Sequence, residues 1–375
     1  ADGTWNGPDQ DDNGDHEPDF TNVYKLFLGL AGDLAAGSIR DADEQEKELI
    51  VDGQALQVAK YIHGVGDSRN PIKKILGGAF GSGMIARIVR GYTFISRNFE
   101  PNDAIVVVGF SRGAYTARAL AGLIASQGLL AKHLTVDKTD AYRRGAQAWY
   151  RYRKKATEKK PGIFERLAEA AADLPAFLSH GDLSDADLLP VDTIKSVAVW
   201  DTVGSLGLPR YVDDRRADAF KFADTSLSAK VEMGFHAIAL DEQRIDFTPT
   251  LWDKATNVVQ MVFPGAHSDV GGGYTTKDNE SGLSDIALEW MAAQLEAVGV
   301  KFVNPVYRPF APDPRGVGHK PWLRPPFNIP GKAMARQLKG SGILEHPAVL
   351  KRMDAGLVVH GLGEAPVLYA PLNRP

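Results

Sequence analysis

The chain has 375 residues, with 43 Lys and Arg against 47 Asp and Glu, a formal net charge of −4 and no cysteine. That balance excludes a general electrostatic pull toward nucleic acid or an anionic membrane, and the missing cysteines exclude disulfides, thiolate metal sites and cysteine nucleophiles. At 44% hydrophobic and 24% charged residues, the sequence has the apolar content of an ordinary globular protein with a large core. Its longest apolar runs, such as 104–110, fall far short of the ~20 residues of a membrane span. No signal peptide is visible, and zero cysteine suits a cytoplasmic or an exported protein equally.

The sequence opens on Ala1-Asp2-Gly3-Thr4-Trp5-Asn6, which reads as the end of a strand rather than a targeting segment. Residues 7–18 are acidic and rich in turn formers, so they read as a solvated loop. Asp11, Asn13 and Asp15 have the spacing that opens a calcium loop, but His16 stands where Gly is required and no Glu closes it. Thr21-Asn22 cap an amphipathic run over 23–30. Residues 55–62 predict a strand that ends at His63-Gly64. The glycines of 77–83 precede a helix over 84–98. No strand feeds them and no Lys-Ser/Thr follows, so they suit close backbone packing rather than phosphate.

Residues 103–110 form a continuous β-branched run, the mark of a strand buried on both faces of a parallel sheet. A turn at 111–113 and a small-residue helix over 114–124 follow at once. Residues 133–190 read as a helical cap or lid inserted in a single domain spanning 1–375. Their first part, 142–160, sets Arg and Lys among Tyr142, Trp149, Tyr150 and Tyr152. It admits a solvated helix face, a lid at a lipid–water interface or a nucleic-acid contact, the last disfavoured by the overall acidity. Their second part predicts an amphipathic helix on Ile163, Phe164, Leu167, Ala171, Leu174, Phe177 and Leu178. Strands are expected over 194–200 and 257–263, and helices over 231–240 and 283–298. Residues 301–375 are a proline-rich segment expected to pack on the domain.

Gly109-Phe110-Ser111-Arg112-Gly113 is a full G-x-S-x-G match between a strand and a helix. In that setting glycines permit a tight, strained turn that lifts a serine hydroxyl above the sheet, with helical N–H groups aimed at any charge that builds there. Without chemistry, Ser111 would be a helix cap. A serine needs a base, and the base an orienting acid. In the expected chain order of Ser, acid, His, Asp201 follows the strand 194–200 and His267 follows 257–263. Asp269, Asp241, Asp246 and Asp253 compete as the acid. Asp2, His63 and Asp269 can line the pocket, and His236, on its expected helix, reads as a buried structural histidine. His319, His346 and His360 lie in the irregular tail as structural or surface residues. The N–H of Arg112 and one of Gly3, Thr4 or Trp5 are the candidate oxyanion donors, with Asp2 as an orienting residue. The Arg112 side chain fits equally a substrate anion and a loop-tying salt bridge.

Several stretches together carry a family resemblance. They are Asp2-Gly3-Thr4-Trp5-Asn6, Thr21-Asn22-Val23, Gly78-Ala79-Phe80-Gly81, Gly109-Phe110-Ser111-Arg112-Gly113-Ala114 and Trp200-Asp201-Thr202-Val203-Gly204. Ala239-Leu240-Asp241-Glu242 and Pro264-Gly265-Ala266-His267-Ser268-Asp269-Val270-Gly271-Gly272-Gly273-Tyr274 continue the series. His346-Pro347-Ala348-Val349-Leu350 and Tyr369-Ala370-Pro371 look like a closing segment. The sequence resembles the bacterial and fungal α/β-hydrolase family that includes the phospholipase-type lipase effectors of type VI secretion. The resemblance implies an ester hydrolase acting on lipids, with Ser111 as nucleophile and His267 as base, and leaves the acid open between Asp201 and Asp269. The family's pattern has a full strand ahead of Asp-Gly-Thr, where this sequence has Ala1 alone. It also includes effectors with a long extra C-terminal region that this sequence lacks, which favours a compact esterase or lipase.

The expected fold is thus α/β, an α/β-hydrolase with a mostly parallel sheet flanked by helices and a helical cap. The expected activity is hydrolysis of carboxylic esters through an acyl-serine, by an esterase, lipase or phospholipase A. No metal or organic cofactor, no nucleic acid and no transmembrane segment is expected, and a transient contact with a lipid interface is. Two other classes stand beside this one. One is a metal-dependent phosphoesterase on Asp2, His63, Asp201, His267 and Asp269; the other is a non-catalytic binding module.

Overall fold

A computed structural model describes residues 1–3, 19–40, 42, 44–64, 80–158, 183–203, 225–303, 310–325, 327–328 and 333–375. The acidic loop of 7–18, Thr4, the glycines of 77–79 and the expected cap helix of 163–178 lie outside the described residues. In chain order the elements are α1 (Asn22–Gly29), β1 (Asp33–Leu34), β2 (Glu44–Val51), β3 (Gln54–Ile62), α2 (Phe80–Asn98), β4 (Val106–Phe110) and α3 (Arg112–Gln127). There follow β5 (Leu129–Leu130), α4 (Lys138–Glu158), β6 (Leu188–Leu189), β7 (Ile194–Trp200), β8 (Val231–Ala239) and β9 (Val258–Phe263). The chain ends with α5 (His267–Gly271), α6 (Gly282–Ala297), β10 (Leu344–Glu345), α7 (Pro347–Asp354), β11 (Leu357–Val358) and β12 (Val367–Leu368).

The main sheet has five strands in the order β10-β9-β8-β7-β4, and every pairing in it is parallel. Valine-rich β4 and β7 suit this position, because a parallel sheet is covered on both faces. On one face Ile88 and Tyr92 of α2, Leu120 and Ile124 of α3 and Trp149 of α4 pack with Val107 and Val197. On the other, Val23 and Phe27 of α1 and Ile286 and Met291 of α6 pack with Trp200 and Phe235. The result is a helix–sheet–helix stack. The pairing sets Phe110 beside Trp200, Trp200 beside Ala237, and Ala239 beside Phe263. The C-terminal ends of β4, β7 and β9, and the residues that follow them, therefore come to one edge of the sheet, where ligands of such sheets bind.

Residues 1–3 run between two strand ends. The Asp2 N–H donates to the Ile62 carbonyl (3.0 Å), and the Phe110 N–H donates to that of Ala1 (3.3 Å). Thr21 caps α1 through its side chain, accepting from the Tyr24 N–H. A second, antiparallel sheet of β1, β2 and β3 accompanies the main one. Its β2–β3 turn is Asp52-Gly53, both at positive φ (51° and 78°), the dipeptide and geometry of a tight two-residue hairpin.

Residues 231–240 are not the expected helix: they form β8, at the centre of the parallel sheet. Gly234 through Leu240 are all buried, so no polar face alternates with an apolar one, and periodicity alone does not separate such a run from a buried helix. The 142–158 stretch is indeed helical. Its Trp149 is buried in the core and Tyr142 and Tyr152 pack against that core, while Tyr150 faces outward. Among the described residues no helix is long and apolar enough to cross a membrane.

Candidate active site

Ser111 stands between β4 and α3 with φ 57° and ψ −120°, outside the regions that L-residues ordinarily adopt. Crowding enforces the bend. A Cβ on Gly109 would lie 2.2 Å from the Gly113 carbonyl oxygen, and one on Gly113 would lie 2.2 Å from that of Ala1. Both positions exclude every side chain. Ser111 is the N-cap of α3, yet its side chain makes no capping hydrogen bond, so the bland role of a cap does not account for the hydroxyl. Its N–H donates to the Trp200 carbonyl (3.0 Å), which ties the bend to the end of β7.

Asp201, the next residue along β7, is fully buried and also has positive φ (37°). Its Oδ2 accepts from His267 Nδ1 at 2.6 Å. Its Oδ1 accepts from the Ala239 N–H at 2.9 Å. The Arg336 guanidinium completes the set as a fork, with Nη1 on Oδ1 (2.6 Å) and Nη2 on Oδ2 (2.8 Å). Burial alone would raise the pKa of this carboxyl; the Arg336 charge and the hydrogen bonds from Arg336 and His267 outweigh it and hold the group well below the usual carboxylate range.

His267 opens α5, its backbone N–H donating to Glu242 Oε2 (3.2 Å). Its ring rests against Phe110, the residue before Ser111, at 4.7 Å between centroids, and meets the edge of Phe247 at 4.9 Å. The structure therefore brings Asp201 and His267 into direct contact and sets the imidazole against the strand end that carries Ser111. Burial lowers the His267 pKa, with Asp201 pulling the other way. A neutral ring that donates from Nδ1 leaves Nε2 as an acceptor.

The remaining expected residues are occupied elsewhere. Asp269 Oδ2 accepts from the N–H groups of Ala266 (2.8 Å) and His319 (3.0 Å), while Oδ1 accepts from His319 Nδ1 (2.6 Å). It thus secures the start of α5 and pairs with His319 instead of His267. His319 also meets Glu280 through Nε2 (3.3 Å) and stacks on Tyr274 at 3.5 Å. Burial lowers its pKa, but the two carboxylates prevail and push it up to about 9. Asp2 accepts from Thr21 Oγ1 (2.6 Å), the Tyr61 hydroxyl (2.8 Å) and the Gly3 N–H (2.7 Å), which fits an orienting residue. Gly3, expected as an oxyanion donor, has its N–H engaged there. His63 Nε2 accepts from Arg87 (2.9 Å). Burial brings the Arg112 guanidinium down to about 9.

Among the competing acids, Asp241 accepts from the Gly265 N–H (2.6 Å) and the Tyr369 hydroxyl (2.8 Å), and Asp253 from Thr225 and Ser226. His236 Nε2 accepts from the Thr202 N–H (3.1 Å), and burial brings its pKa down to about 3; it is a satisfied buried histidine on a strand. Among the described residues no group of three or more His, Asp or Glu could hold a metal ion. Two contributors escape the sequence reading. Glu242 lies inside the Ala239–Glu242 motif, a local signal that points to it although no role was expected of it. Arg336 comes from the proline-rich segment and carries no local signal.

Residues 1–294 match the family model for the T6SS phospholipase effector Tle1-like catalytic domain. The chain is 31% identical over 241 residues to an uncharacterized protein of Saccharomyces cerevisiae, a match that covers 61% of this chain and 29% of the yeast protein. The solved structure of the Tle1 effector bound to the VgrG spike of the type 6 secretion system is 20% identical, with a TM-score of 0.35 over 68% of this chain and 41% of that one. The crystal structure of an uncharacterized protein from Pseudomonas aeruginosa is 19% identical, with a TM-score of 0.38 over 80% of this chain and 46% of that one. The chain thus spans less than half the length of each of these relatives.

Proposed function

The chain belongs to the T6SS phospholipase effector Tle1-like catalytic-domain family, and on that premise we propose that it is a serine hydrolase of lipid carboxylic esters. The observation that carries this reading is the buried 2.6 Å contact of His267 Nδ1 with Asp201, its ring set against the residue that precedes a strained Ser111. His267 Nε2 takes the proton of Ser111 Oγ as the oxygen attacks the ester carbonyl, and Asp201 balances the imidazolium that forms. The Arg112 N–H at the start of α3, with a second from Thr4, holds the oxyanion. Collapse returns the proton to the departing alcohol and leaves an acyl-serine. Water, deprotonated by the same imidazole, then releases the acid. Neither half-reaction calls for a metal or an organic cofactor.

The family supports a phospholipid or related ester as the substrate, met transiently at a lipid interface. The test is turnover of short p-nitrophenyl esters, triglycerides and phospholipids, together with labelling by a fluorophosphonate. Wild-type protein should be labelled at Ser111 and keep its turnover in EDTA. Ser111→Ala should lose labelling and all but about 10⁻⁴ of the turnover. Retention of more than a few per cent would sink the proposal.

A further inference from the structure

Arg336 lies outside the residues matched to the family, yet it makes more contacts with the Asp201 carboxylate than His267 does. We infer that Arg336 is a positioning residue for the hydrolytic reaction, acting through Asp201 to keep that carboxylate ionised and fixed in rotation. This inference rests on the proposed triad. Each oxygen of Asp201 accepts two hydrogen bonds, and one of each pair comes from the guanidinium fork. Arg336 has anchors besides Asp201. Nη1 also donates to the Ala239 carbonyl (2.6 Å) and Nη2 to that of Phe247 (2.7 Å). The fork is therefore a preset socket into which the carboxylate fits with one orientation.

The charge matters as much as the geometry. Asp201 and Arg336 are both buried, and a buried carboxylate stripped of its cation takes up a proton. A neutral Asp201 cannot balance an imidazolium at His267. The other charged or titratable groups around the pair do not replace Arg336. His236, on β8 beside β7, holds its proton against burial only weakly, with a pKa of about 3. Glu242, beside His267, is paired with Arg244 at 2.7 Å.

The experiment is the pH profile of kcat/KM for wild type, Arg336→Met, Arg336→Lys and Ser111→Ala, with folding followed by circular dichroism. Arg336→Met should lose about 100-fold or more near pH 7, with its acid limb displaced upward by about one pH unit or more and activity partly regained toward pH 9. Arg336→Lys, which keeps the charge without the fork, should leave the acid limb within about 0.3 pH units of wild type and lose about 10-fold in kcat. A folded Arg336→Met with an unmoved acid limb, or with activity within threefold of wild type, overturns the inference. Should Arg336→Met fail to fold, Arg336→Lys decides: an undiminished kcat overturns it, and a reduced kcat on a wild-type limb supports it. Persistent activity in Ser111→Ala would instead bring down the triad itself, so the two failures are distinct.

Discussion

Two buried histidines donate from Nδ1 to an aspartate at the same 2.6 Å, His267 to Asp201 and His319 to Asp269. Geometry does not separate them; the surrounding charge does. Behind Asp201 stands a cation, Arg336, so the carboxylate is already compensated and burial brings the His267 pKa down. Behind His319 stands a second anion, Glu280, and its pKa rises to about 9. The first imidazole is thereby biased toward its neutral form, the one able to accept a proton. The second is an imidazolium that ties the start of α5 to residue 319. An Asp–His contact alone is therefore no sign of a base; what lies on the far side of each partner decides its chemistry.

The largest effect should come from exchanging the two roles for glutamine. His267→Gln should lower ester turnover by about 10⁴-fold, whereas His319→Gln should leave turnover within about tenfold of wild type. Equal losses in the two would erase the distinction. Next in size is stability. Because the His319 pKa is raised from 6.5 to about 9, its contribution is complete below pH 6.5 and is lost as pH rises through 9. Urea unfolding should show wild type losing up to about 3 kcal/mol across that window. His319→Gln should show a correspondingly flatter profile. The smallest effect belongs to Glu280→Gln, which removes the outer anion. The His319 pKa followed by NMR should fall by about one unit, with turnover unchanged within twofold.

The strand–turn–helix around Ser111 and the strand before Asp201 were legible because each is local: a run of valines, glycines with no room for a side chain, and a polar residue at a strand end. β8 was misread because a fully buried central strand has no alternation. β2 passed unread because its charged sequence, Glu44 to Lys47, lacks the apolar run of a core strand. Chain order favoured Asp201, but the family resemblance left the acid open between Asp201 and Asp269, since both sit inside matching motifs. What distinguishes them is long-range contact: His267 and Arg336, 66 and 135 residues further along the chain, meet Asp201, while His319, 50 residues further, meets Asp269. Long-range charge partners leave no trace in local spacing.

The backbone at residue 111 also restricts which alphabet the position can draw on. Threonine carries the same hydroxyl, but its branched Cβ is a severe misfit at a φ of 57° and ψ of −120°. Chemically the closest exchange is thus sterically the least accessible. A cysteine thiol or an aspartate carboxylate, neither branched at Cβ, suits the same bend better, so on the proposed mechanism drift toward a different nucleophile does not pass through threonine.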